Sequence, residues 1–512
     1  MGALHRPAAT GAPGVTNKLH ESPFQAGTSE TLDPQNWDEI RALGHRMLDD
    51  MIDSIANIRE RPVWRPIPDA VRARFRAELP RQPSDLGEVY QEFVNFIAPY
   101  ATGNLHPGFM GWVHGGGTAV GMLAEMLAAG LNANLGGRDH IPIEVERQIV
   151  EWTRAMFDFP HEASGILVTG TSMANLMAVL VARTAVLGRA VREQGVGGEG
   201  ALLTAYTSTA AHGCVKKAMD LAGLGSDALR SMQVDSLHRV DVAAMRAQIA
   251  RDREIGLKPF LVVGSAGTVD IGAIDDLEAL SKLCREENLW FHVDGAYGAL
   301  GVLSPALTPR LSGLRDADSI ALDFHKWGQV PYDAGFLIVR DGERHREAFA
   351  APAAYLRRET RGLAAGSPWP CDLGPDLSRG FRALKTWFTL KTFGTEKLGA
   401  MIERTCAVAR HLEARVSAEP RLELLSPAQL NIVCFRYRAA DADKVNGEIV
   451  IDIQESGISA PSTTTLDGRL AIRAAIVNHR TDFSDVDALV GAVLEFGVRR
   501  SRGDDGLSPP PT

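Results

Sequence analysis

From about residue 160 to 340, short apolar runs alternate with helix-length segments. The runs are GILVT (165–169), ALLTAY (201–206), FLVVGSAG (260–267), LWFHVD (289–294), SIALD (319–323) and GFLIV (335–339). Several are apolar at nearly every position, which suits strands covered on both faces. The segments between them, such as 171–184 and 275–287, read as helices, and this alternation predicts a mainly parallel sheet with flanking helices. Upstream, Ile40, Leu43, Met47, Met51, Ile55 and Ile58 recur at spacings of three and four. They predict an amphipathic helix that starts near Asp33-Pro34 and whose stripe must bury against something. The apolar stretch 114–136 carries Glu125 and Gly-rich ends and reads as a buried helix.

Beyond 380 the pattern predicts a long helix bent near Gly394, two strands (IVCFRY and RLAIRAA) and a final helix from about 484. The expected organisation is a flexible tail over 1–30, an N-terminal helical segment over 31–110 and a large α/β domain over 111–385. A small α+β domain over 386–500 and a second flexible tail over 501–512 complete it.

Composition narrows the function. The 512 residues include 54 Lys and Arg against 63 Asp and Glu, a formal charge of -9. That balance argues against general nucleic-acid binding and against anionic membrane surfaces, both of which need a basic face. The five cysteines are widely spaced without a CxxC, so neither a disulfide framework nor a zinc cluster is signalled, and no metal is expected. The opening MGALHRPAAT has no apolar signal core, which makes a soluble, cytoplasmic protein the expectation.

The chemistry concentrates at the C-terminal ends of the expected strands, where open α/β sheets place ligands. LWFHVD ends in Asp294, and SIALD runs into Phe324-His325-Lys326-Trp327. A lysine and a carboxylate so placed are what pyridoxal 5'-phosphate requires. The lysine forms a Schiff base with the aldehyde, and the carboxylate keeps the pyridine nitrogen protonated so that the ring accepts electrons. Gly170, Thr171 and Ser172 lie between a strand and a helix start, where N–H groups, hydroxyls and the helix dipole would hold a phosphate. His212 is placed to stack on the ring. Singly, each has a plainer reading: a helix cap, a turn residue, a core histidine, a solvated lysine. Their order, each at a strand exit, favours the cofactor site.

HVDGAYG followed by SIALDFHKWGQVPYDAG resembles the group II pyridoxal-phosphate decarboxylases, which include those acting on aromatic L-amino acids, histidine and glutamate. LHPGFMGW (105–112), the helix at 122–127, SRGFRALKTWF (378–388) and AIRAAIVNHRT (471–481) extend the resemblance from about 35 to 495. It implies fold type I, a homodimer with shared active sites, and loss of CO2 from an amino acid. By position it makes Lys326 the Schiff-base lysine, Asp294 the partner of the ring nitrogen and His212 the stacking histidine. Ala296 then lies against the other face of the ring, and Thr171, Ser172 and His325 fall among the phosphate contacts. Tyr355, in APAAYLRRE, matches a mobile-loop tyrosine that protonates the carbon left by CO2. Arg473 sits at the family's C-terminal arginine, although a structural ion pair explains it almost as well.

Departures bear on substrate. Trp112-Val113-His114-Gly115 stands where aromatic decarboxylases have Tyr-Phe-Pro-Thr, and Trp112 and His114 are the substrate-binding candidates. Met173 replaces a common glutamate, and Val269 a frequent threonine. The stretch 132–140, which the resemblance assigns to a partner's pocket, is polar. His114, Asn134, Arg138 and His140 therefore pull towards a polar or acidic side chain, while the resemblance and Trp112 favour an aromatic one. Decarboxylation of an aromatic L-amino acid is the expectation. Glutamate or histidine as substrate, a carbonyl-forming aldehyde synthase or aminotransferase, and a cofactor-binding scaffold without turnover are the alternatives.

Overall fold

The computed structural model describes residues 31–351 and 358–502. The chain divides into an N-terminal unit ending at Met51 and a large unit from Ile52 onward. The first holds most of the helix Trp37–Ala56, which has no buried residue. The expected start at Asp33-Pro34 is too early: the Asn36 side-chain oxygen accepts from Asp38 N at 3.0 Å, opening the helix at Trp37.

In the large unit, seven strands form one sheet: β1 (Ser164–Val168), β2 (Leu203–Ser208), β3 (Leu229–Met232), β4 (Lys258–Ser265), β5 (Trp290–Asp294), β6 (Ser319–Asp323) and β7 (Gly335–Val339). Their order is β1-β7-β6-β5-β4-β2-β3. β3, β2, β4, β5 and β6 pair in parallel, and β7 lies antiparallel between β6 and β1. The six apolar runs are all strands, whereas β3 (LRSM) is a short, half-exposed edge strand with no apolar run to betray it. Along β4, Leu261 and Val263 enter one apolar layer and Val262 the other, so both faces are covered.

The register fixes where the chemistry lies. Ser265 pairs with Asp294, Asp323 with Gly335, and Gly335 with Val168, so four strand ends share one edge. Gly335 is required there, because a Cβ on it would sit 2.4 Å from Gly170 Cα. The helix Thr171–Leu187 starts at this edge.

A second sheet, in order β10-β11-β9-β8, is antiparallel: β8 (Leu422–Ser426), β9 (Ile432–Tyr437), β10 (Ser462–Leu466) and β11 (Arg469–Ala475). The long helix Arg382–Ala418 is interrupted at Gly394 (φ 69°), a backbone shape that glycine adopts without steric cost. Phe483–Ser501 is the final helix. Stretch 114–136 forms the helix Ala119–Leu131, but only one face is buried: Gly121, Ala124 and Ala128 are covered, while Met126, Leu127 and Leu131 are exposed. No helix among the described residues is long and apolar enough to cross a membrane.

Arg379 ties this framework together from within. It pairs with Glu146 at 3.0 Å (Nη1 to Oε2) and donates to Leu135 O at 2.9 Å and Leu167 O at 2.7 Å, while Glu146 accepts from Leu167 N. Both side chains are buried. Arg379→Ala leaves the Glu146 charge uncompensated, so chemical denaturation is expected to show a loss of about 3–5 kcal/mol. A loss below about 1 kcal/mol, typical of an exposed pair, would contradict this role.

Candidate active site

The block after β6 separates anchors from chemistry. Phe324 and Trp327 are buried, with Trp327 Nε1 donating to Thr405 Oγ1 at 3.1 Å. Between them Lys326 extends into a cavity of about 360 Å³ lined by Thr169–Ser172, His212, Asp294, Ala296, Asp323, His325 and Lys326. The six cofactor candidates other than Lys326 (Thr171, Ser172, His212, Asp294, Ala296, His325) thus meet around one space, although 154 positions separate Ser172 from Lys326.

Lys326 Nζ lies 2.8 Å from Asp323 Oδ2. Asp323 Oδ1 accepts from Thr171 N at 2.8 Å, joining the lysine's partner to the helix start. Thr171 Oγ1 is buried without a hydrogen-bond partner among the described residues. An orphaned hydroxyl at the N-terminus of a 17-residue helix suits an anionic oxygen.

Asp294 closes β5 and is buried. Its Oδ1 accepts from Ala296 N and its Oδ2 from Asn175 Nδ2, both at 3.1 Å. His212 caps the helix Gly213–Leu221, its Nδ1 accepting from Cys214 N at 3.2 Å. That bond places the proton of a neutral ring on Nε2. Burial pushes the thiol of Cys214 up to about 12, keeping it protonated beside Asp294. His325 is held down at about 4, chiefly by burial. Its Nδ1 accepts from Ala334 N at 3.0 Å, and its Nε2 lies 3.6 Å from Asp323 Oδ2.

The outer wall is aromatic. Trp112, His114 and Tyr332 line the cavity, with Val113 and Val269 beside them. The His114 ring stacks on Phe109 at 5.7 Å and meets Tyr332 edge-on at 5.6 Å. Burial, followed by the Lys326 charge, lowers the pKa of His114 and favours a neutral ring.

Two expectations about polar groups are corrected. Arg473 makes no ion pair among the described residues: it donates to the carbonyls of Val269, Asp270 and Gly111 and to Ser462 Oγ, which holds the loop beside the cavity. In 132–140, the side-chain oxygen of Asn134 accepts from Gly136 N and Arg379 N, and the Arg138 guanidinium stacks on Trp369 at 4.6 Å. The Asn134 oxygen is thus occupied within its own chain, and one face of the Arg138 guanidinium is covered. Tyr355 lies outside the described residues.

Asp323, Asn175 and Tyr332 join the site without a place among the sequence candidates. Asp323 had a usable signal, since it closes an apolar strand as Asp294 does. Asn175 had none, being a lone amide on an apolar helix.

Residues 68–438 match the family described as the pyridoxal-dependent decarboxylase conserved domain. The chain belongs to this family. It is 32% identical over 458 residues to an aromatic-L-amino-acid decarboxylase of Bacillus atrophaeus, covering 87% of this chain and 92% of that one. It is 28% identical to a phenylacetaldehyde synthase of Arabidopsis thaliana, covering 88% and 94%. The crystal structure of Oryza sativa TDC with PLP and tryptamine matches with a TM-score of 0.83 over 92% of this chain and 100% of that chain. At 24% identity, that likeness is one of fold.

For this pyridoxal-dependent decarboxylase, Asp323→Ala removes the partner of Lys326 and a tether of the Gly170–Thr171 turn. Steady-state kinetics are expected to show kcat lower by about 100-fold, the scale of a small misplacement of reacting groups. Unchanged kcat would reduce Asp323 to a packing residue.

Proposed function

We propose that this chain decarboxylates an aromatic L-amino acid to its amine and CO2, using pyridoxal phosphate bound at Lys326. The observation that carries the reading is the grouping of Lys326, Asp294 and the orphaned Thr171 hydroxyl around one cavity. Bound there, the cofactor supplies an aldehyde for the amino group and a protonated ring that accepts the electron pair left by CO2. Lys326 Nζ would hold the cofactor's aldehyde, and Asp323, 2.8 Å away, would hold the lysine's ammonium when it is free. Asp294 would accept from the N–H of the ring nitrogen, the Thr171 and Ser172 hydroxyls would hold the phosphate, and His212 and Ala296 would enclose the ring. Tyr355 returns a proton to Cα.

The aromatic substrate is supported by the Trp112–His114–Tyr332 wall, which offers flat faces for stacking. Among the described residues, the cationic side chains lining the cavity are Lys326 and Arg473, and both are engaged, Lys326 by Asp323 and Arg473 by backbone carbonyls. The names of the Bacillus and Arabidopsis relatives agree with that class. A second copy of the chain would cover the exposed Met126, Leu127 and Leu131, and a homodimer is part of the reading.

With L-tyrosine, L-tryptophan, L-histidine and L-glutamate at equal concentration, an aromatic amine is expected as the main product. A clear preference for glutamate would reject the substrate class. The Arabidopsis relative's name keeps a carbonyl-forming outcome in view, and Tyr355→Phe tests it. Loss of the phenol proton is expected to slow amine release and raise aldehyde, ammonia and peroxide under air. An unchanged amine yield under both air and nitrogen would show that another group delivers the proton.

A further inference from the structure

Behind Asp294, on the side away from the cavity, lies a line of buried polar groups that the proposed reaction does not use. Trp290 Nε1 donates to Ser319 Oγ at 2.9 Å, and Ser319 Oγ lies 2.8 Å from His292 Nδ1. His292 Nε2 is 2.7 Å from the side-chain oxygen of Asn175, whose Nδ2 donates to Asp294 Oδ2 at 3.1 Å. Asn175, His292 and Ser319 are all at most 1% exposed. In so dry a place each bond is strong and each mismatch costly, so the proton arrangement is determined.

Only one arrangement gives every donor an acceptor. Ser319 Oγ already accepts from Trp290, so its own proton is available to His292 Nδ1. Burial holds His292 down at about 4, and the ring is neutral. With Nδ1 accepting, Nε2 carries the hydrogen and donates to the Asn175 oxygen, which turns the Asn175 N–H towards Asp294. The other tautomer would donate from Nδ1 to Ser319 O, 3.2 Å away. It leaves a bare Nε2, which turns the amide over and sets its oxygen against a carboxylate oxygen. That pairs acceptor with acceptor.

The geometry points to Asn175, His292 and Ser319 as positioning residues for Asp294: a one-way hydrogen-bond chain that presents an N–H to the carboxylate and so keeps it an oriented anion facing the ring nitrogen. This rests on the cofactor reading above. The chain runs through the β5–β6 pairing, where His292 lies opposite Ser319, so the sheet itself sets its length.

The test reconstitutes the full-length protein with pyridoxal phosphate carrying nitrogen-15 in the ring and reads that resonance by NMR beside kcat and KM. Wild type is expected to show a protonated ring nitrogen. His292→Leu fills the space without a donor; it should move the resonance towards the unprotonated position and lower kcat about tenfold, with KM changed less than about threefold. His292→Gln, whose amide N–H reaches the place of Nε2–H, should restore most of both. A packing role would instead favour leucine over glutamine. Ser319→Ala deletes one oxygen and should shift the resonance less, in the same direction; it carries the test if His292→Leu does not fold. A protonated wild type whose resonance and kcat are unmoved by either change overturns the chain alone. A wild type that takes up no cofactor overturns the decarboxylase reading and the chain with it.

Discussion

A buried carboxylate has to be matched by donors, because an uncompensated charge in a low-dielectric interior costs several kcal/mol. Asp323 is 2% exposed, and its two oxygens are matched by the Lys326 ammonium and the Thr171 N–H. That requirement draws together the turn after β6 and the start of the helix after β1. Asp294 imposes the same demand one strand away and is met by Ala296 N and Asn175. The cavity is the space left between these two satisfied anions, and the other site residues are arranged around it.

Placing both carboxylates at one edge is the work of the sheet. Parallel pairing sets the ends of β4, β5 and β6 in line, and antiparallel β7 returns the chain so that the end of β1 joins them. Phe324 and Trp327 then spend their bulk on the core, leaving His325 and Lys326 to line the cavity. The site is precise because it stands on strands and buried anchors.

Much of this was legible in the sequence, for identifiable reasons. Strands covered on both faces are apolar throughout, and a polar residue closing such a run stands out, as Asp294 does. Edge strand β3 escaped because it buries little, and the helix at Trp37 begins late because Asn36, not Asp33, supplies the cap. Asn175 was illegible since its partners, Asp294 and His292, lie 119 and 117 positions away. Polar residues misled for a related reason. Asn134 and Arg138 read as pocket chemistry, yet the Asn134 oxygen accepts from Gly136 N and Arg379 N and the Arg138 guanidinium lies over Trp369. Sequence shows that a group is polar, while the fold decides what satisfies it.

The central claim is that Lys326, set by Asp323 and faced by Asp294, is the amine that takes the cofactor. Borohydride reduction of the protein reconstituted with pyridoxal phosphate, followed by peptide mass mapping, tests it most directly. One pyridoxyl group per chain is expected, on the peptide containing Lys326, and none on Lys326→Ala. A stable pyridoxyl group on another lysine, such as the buried Lys385, with Lys326 unmodified would contradict it.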